Sequence, residues 1–176
     1  MADGTDESVA QKVARGVAYK DEGNAAFARG DCAGALQAYH HAGLYLAGLD
    51  TDAMAVSLDE PRGGPHDALL PEHRRVLSLM AACYLKQARY ERAITFCDQA
   101  LTHDRANEKA IFRKAVALRL CGSLYQARDW LQSDAARAHA HAPAFAGELA
   151  ALQDAIGARE ARSARALRGF LQQPHA

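Results

Sequence analysis

The sequence predicts an all-α solenoid of three antiparallel helix pairs with a C-terminal capping helix, on three observations. Alanine is abundant while Val and Ile are few, a bias towards helix over sheet. Tyr84-Leu-Lys-Gln-Ala88-Arg-Tyr90-Glu-Arg-Ala93-Ile aligns with Leu118-Arg-Leu-Cys-Gly122-Ser-Leu124-Tyr-Gln-Ala127-Arg, so that Ala88 meets Gly122, Tyr90 meets Leu124 and Ala93 meets Ala127, each 34 residues on. A third copy, Phe27-Ala-Arg-Gly30-Asp-Cys32-Ala-Gly-Ala35-Leu, lies upstream, with Ala35 set 58 residues before Ala93, one period plus an insertion of 24. A 34-residue period is the length of one helix–turn–helix unit.

The elements follow in order. Residues 1–8 are acidic and polar and are expected to be disordered. Ser8-Val-Ala-Gln11 has the form of a capping box opening the first helix, which carries Val13, Val17 and Phe27 and ends at Gly30. Asp31 can cap the second helix, expected to bury Leu36, Tyr39 and Leu44. Asp59-Glu-Pro61-Arg-Gly63-Gly64-Pro65 breaks the pattern, so residues 50–70 form an insertion. The second unit opens at Pro71 and runs to about residue 105. The third spans 107–139, with Asn107 and Ser123 placed as helix caps. From Pro143, Phe145, Leu149, Leu152 and Ile156 step by four, three and four, a further amphipathic helix. After Gly157 the pattern turns basic through Arg159, Arg162, Arg165 and Arg168, and the last residues are expected to fray. The repeat domain is therefore placed at 9–141, with repeats at about 9–49, 71–105 and 107–139, and the capping helix with its basic extension at 142–172.

Composition sets the outer bounds. With 176 residues there is room for one substantial core. Lys+Arg and Asp+Glu both number 21, so no global field argues for nucleic acid or an anionic membrane as partner. No stretch approaches the roughly 18 uninterrupted apolar residues of a membrane helix, and the start lacks the pattern of a secretory signal. Cys32, Cys83, Cys97 and Cys121 have no C-x-x-C spacing and read as reduced, mostly buried hydrophobes of a cytoplasmic protein. His40-His41 and His139-Ala-His141 have the wrong helical spacing for metal ligation. No nucleophile elbow, phosphate loop or zincin motif occurs, so neither enzymatic activity nor a cofactor is expected.

The period and its small residues resemble the tetratricopeptide repeat (TPR) family. The small residue of helix A falls at Gly23, Ala81 and Ala115. The turn residue falls at Gly30, Ala88 and Gly122, and the alanine of helix B at Ala35, Ala93 and Ala127. Small side chains let antiparallel helices approach, and glycine supplies the turn. Two departures stand out: Ala88 in place of glycine, and Arg105 where a proline usually closes the repeat. The chain also resembles the tetratricopeptide repeat protein 9 family, through Tyr19-Lys-Asp-Glu-Gly-Asn24, Ala38-Tyr-His-His-Ala42, Leu46-Ala-Gly-Leu49 and Tyr90-Glu-Arg92.

The resemblance implies that the A helices line a concave peptide groove. On that phase the first presents Lys20, Asn24 and Phe27, the second Arg75, Ser78 and Leu79, and the third Lys109, Phe112, Arg113 and Arg119. Lys20/Asn24 and Lys109/Arg113 are both i, i+4 pairs, each on one helical face. This resembles the carboxylate clamp of co-chaperone and large-immunophilin TPR domains, in which two lysines, two asparagines and an arginine grip a chaperone tail ending Glu-Glu-Val-Asp. Charge-assisted hydrogen bonds from ammonium, guanidinium and amide donors suit such a ligand. Four positions match. At the fifth, Leu79 stands in place of asparagine and removes a donor, at a cost on the order of 1.5–3 kcal/mol; Ser78 faces some 100° away.

The function implied is a monomeric adaptor binding a protein or peptide, in particular the C-terminus of a heat-shock chaperone. The alternative is a TPR scaffold that grips another protein through the groove, the 50–70 loop or the basic C-terminal helix without a clamp.

Overall fold

The computed structural model describes residues 8–55 and 69–171, without the side chains of 47–55 and 69–70. Eight helices are present among the described residues: α1 (Val9–Ala28), α2 (Cys32–Ala55), α3 (Leu69–Lys86), α4 (Tyr90–His103), α5 (Glu108–Leu120), α6 (Leu124–Leu131), α7 (Asp134–Arg137) and α8 (Pro143–Leu171). From α1 to α7 each helix packs on the next, and α3 also touches both α1 and α5. Helices α1, α3 and α5 thus form one layer and α2, α4 and α6 the other. The expected disorder of the N-terminus falls on residues 1–7, outside the described residues, as does most of the 50–70 insertion and the tail beyond Leu171.

Local chemistry explains the helix ends. Ser8 and Gln11 form the reciprocal capping box: Gln11 N donates to Ser8 Oγ and Ser8 N donates to Gln11 Oε1. Asp31 Oδ1 accepts from Gly34 N at 2.8 Å, and Asn107 Oδ1 from Ala110 N at 3.1 Å. Ser123 stands at the N-cap of α6, but its side chain makes no capping bond. The turns between paired helices need a left-handed residue, and Gly30 (φ 83°) and Gly122 (φ 85°) supply it without penalty. Ala88 takes the same role at φ 56°.

The positions of the period carry the packing. Ala35, Ala81, Ala93, Ala115 and Ala127 are fully buried. Gly23 lies against Tyr39, where an added Cβ would stand 2.5 Å from the ring, and Gly16 lies equally close to Leu46. Ala35, Leu36, Tyr39, Leu46, Val76, Met80, Cys83 and Tyr84 form the largest buried cluster. Each large member contributes on the order of 1.5–3 kcal/mol through burial.

The structure corrects several expectations. Leu44 is 73% exposed, and Leu46 is the buried residue. On a helix Leu46 returns to within about 20° of Tyr39, whereas Leu44 lies about 140° round. Helix α2 continues to Ala55 and α3 begins at Leu69, so the described ends of the 50–70 insertion are helical. The last B helix divides at Ser133, whose hydroxyl donates to Trp130 O at 2.6 Å, leaving α7 as a single turn. Helix α8 passes through Gly157 without interruption, and its residues from 157 to 171 are all exposed. Of the cysteines, Cys83 and Cys97 are buried, Cys32 is half-buried and Cys121 is exposed.

Candidate functional site

The inner layer presents a cleft of about 220 Å³ lined by Lys20 and Asn24 of α1, Arg75, Ser78 and Leu79 of α3, and Asn107, Lys109 and Arg113 at the start of α5. Lys20, Asn24, Arg75, Leu79, Lys109 and Arg113 were expected in a groove, and the fold brings these six together. Phe27, Phe112 and Arg119 line other surfaces. Phe27 packs against the main core, with Lys86 Nζ 3.9 Å from its ring centre. Phe112 meets Phe145 of α8 with ring centres 5.4 Å apart and planes tilted by 60°. Arg119 forms a two-pronged bond with Glu148 of α8, Nε to Oε1 at 2.6 Å and Nη2 to Oε2 at 3.0 Å.

Asn24 is oriented from behind. Tyr39, fully buried on α2, donates its hydroxyl to Asn24 Oδ1 at 2.9 Å. Because the amide oxygen accepts there, its two N–H donors remain for a ligand. Burial pushes the Tyr39 pKa up to about 12, helped by Cys83 and opposed by Arg113, so the phenol stays protonated as a donor.

Arg113 is half-buried over Ser78. Its Nη1 donates to Ser78 O at 2.7 Å and also to the Ser78 hydroxyl. Burial pulls its pKa below the usual guanidinium value, and its other close polar neighbours are Cys97, Cys83 and Tyr39. Burial likewise pushes both thiols up to about 12, which keeps them neutral. Among the described residues neither Arg113 nor exposed Lys109 pairs with a carboxylate. A guanidinium held among neutral groups and facing a cleft favours an anion there.

Ser78, expected on the groove face of the second A helix but as a poor substitute for the missing asparagine, is only 4% exposed and forms the wall beneath Arg113. Glu72 escaped the sequence reading. Glu72 reaches across from α3 to pair with Lys20 Nζ at 2.7 Å and with Arg75 one turn further on. Helical phase alone could not place either contact, since each bridges two helices; the Glu72/Arg75 spacing of three was the one available signal.

No protein-family model matches the chain. Among curated proteins, the peptidyl-prolyl cis-trans isomerase FKBP42 of Arabidopsis thaliana is 30% identical over 153 residues, covering 85% of this chain and 39% of the relative. The chain thus spans about two fifths of that relative's length. Among solved structures, the C-terminal TPR-containing domain of a Plasmodium falciparum FK506-binding protein is 22% identical with a TM-score of 0.66, over 90% of this chain and 97% of that one. The first TPR of Spaghetti (RPAP3), bound to the HSP90 peptide SRMEEVD, is 17% identical with a TM-score of 0.61, over 82% and 98%. These likenesses show that the chain has the TPR fold. Among the described residues no helix is long and apolar enough to cross a membrane, and no group of three potential metal ligands occurs.

Proposed function

We propose that the protein is a non-enzymatic, cytoplasmic, monomeric adaptor whose α1/α3/α5 cleft binds the C-terminal carboxylate of a protein partner, an acidic heat-shock chaperone tail first among them. One observation carries the reading: Lys20, Asn24, Lys109 and Arg113 converge on one cleft, while Lys109 and Arg113 have no carboxylate of the described residues to neutralise them. The HSP90 peptide bound to the first TPR of Spaghetti supports the choice of partner.

In this reading Lys109 and Arg113 take the ligand's carboxylates through charge-assisted hydrogen bonds, Asn24 donates its amide, and Leu79 offers apolar contact in place of a donor. Titration of a heptapeptide ending Glu-Glu-Val-Asp tests it, against the same peptide amidated at its C-terminus. The free acid is expected to bind about tenfold tighter than the amide, the worth of one or more charged hydrogen bonds. The double variant Lys109→Ala/Arg113→Ala is expected to lose that preference. Equal binding of acid and amide, or none of either, would refute the reading.

Leu79 favours a second reading, a scaffold that grips its partner without a free carboxylate. It predicts that partner capture is unchanged in the Lys109→Ala/Arg113→Ala chain.

A further inference from the structure

Two residues that line the cleft, Lys20 and Arg75, are bonded by a carboxylate beside it, that of Glu72. Glu72 and Lys20 stand 52 residues apart in the chain, yet their side chains meet at 2.7 Å and are only 17% and 15% exposed. Glu72 splits its two oxygens: Oε2 accepts from Lys20 and Oε1 from Arg75, the latter 64% exposed at the rim. Lys20 is therefore occupied by a carboxylate, whereas among the described residues Lys109 and Arg113 are not.

We propose that Glu72 is a specificity-determining residue of the cleft, an internal carboxylate that holds Lys20 and yields it only to a ligand whose final residue carries two carboxylates. The inference rests on the carboxylate-binding reading above. A ligand with a single terminal carboxylate is satisfied at Lys109 and Arg113 and leaves the Glu72–Lys20 pair alone. A second carboxylate can exchange with Glu72 at Lys20. The exchange strands no buried charge, because Glu72 keeps its contact with Arg75 at the solvent edge. Glu72 thus lowers affinity for doubly acidic termini while leaving singly acidic ones unaffected.

The test uses the full chain and two peptides with free C-termini, identical but for a final Asp or Asn. They are titrated into the wild type, Glu72→Gln and Glu108→Gln. Glu108 is exposed in the first turn of α5, so its variant makes the same charge change beside the cleft without touching Lys20. Glu72→Gln is expected to bind the Asp-ended peptide on the order of fivefold tighter, the scale of one released ion pair. Its affinity for the Asn-ended peptide should stay within about twofold of the wild type, and Glu108→Gln should match the wild type on both. An unchanged or weaker Asp-ended affinity in Glu72→Gln overturns the inference, whether or not its melting temperature falls. So does an equal gain on both peptides, or an equal gain in Glu108→Gln. Binding by wild type without the Glu72→Gln gain leaves the adaptor reading standing alone. Binding of the Asp-ended peptide by Glu72→Gln only overturns both for the native chain, in which Glu72 would then not yield Lys20. No binding by any protein overturns both.

Discussion

Ala88 holds a backbone conformation that its own side chain disfavours. At φ 56° it does the work that Gly30 and Gly122 do in the neighbouring turns, and the left-handed region costs a residue with a Cβ about 1–2 kcal/mol. Ala88→Gly removes that strain, and the freer unfolded chain offsets part of the gain. A net stabilisation of about 0.5–1 kcal/mol is expected, read as a higher midpoint in urea with an unchanged slope. The departure from glycine was visible in the sequence, because the period fixes which residue must turn. The choice between Leu44 and Leu46 was legible too, since seven residues on a helix return to the face of Tyr39 and five do not. Other residue-level facts were hidden. The Glu72–Lys20 and Arg113–Ser78 contacts join residues 52 and 35 apart, so they depend on how the helices are set against each other.

At the scale of elements, the pairs α1/α2, α3/α4 and α5/α6 were legible because small residues recur where helices must approach. The ends of the solenoid were harder to read. The 3.6-residue pattern continues through Ser133 although the helix stops there, and Gly157 costs α8 only about 1 kcal/mol of propensity, too little to end it. What fastens α8 is also absent from its apolar stripe alone. Glu148, only 7% exposed, bonds Arg119 of α5 with both oxygens, alongside Phe145 and Leu152. Glu148→Ala breaks this pair and leaves the guanidinium half-buried. The expected loss is about 2–3 kcal/mol, below the full figure for a buried pair because Arg119 retains some access to water. Hydrogen exchange along residues 143–156 should accelerate more than in α1 and α2.

For the molecule as a whole, 21 cationic and 21 anionic residues cancel, so function depends on where charge is left unbalanced. The cleft gathers Lys20, Arg75, Lys109 and Arg113, and Glu72 pairs with the first two. Burial alone would raise the Glu72 pKa, but hydrogen bonds and charge from Lys20 and Arg75 bring it below its ordinary 4.5. A carboxylate with a lowered folded-state pKa stabilises the fold fully above the unfolded value and loses that contribution as pH falls through the folded one. The stability difference between wild type and Glu72→Gln should therefore be constant at neutral pH and shrink below about pH 4.5, as acid titration followed by circular dichroism would record. This coupling across helices is the part of the site that a one-dimensional period does not encode.

Trp130 is the only tryptophan in the chain. Its indole N–H donates to Ile111 O at 3.0 Å, and Lys114 Nζ lies 4.0 Å from its ring centre. Both partners belong to α5, the helix that carries Lys109 and Arg113. Trp130 also packs against the buried clusters around Leu124, Ala136, Phe145 and Leu152, so the protein has a built-in optical probe of α5 and the end of the solenoid around it. Intrinsic fluorescence reports the surroundings of α5, whereas far-ultraviolet dichroism averages over every turn of every helix. Where the two signals part during unfolding, they measure how far the third repeat keeps its own schedule.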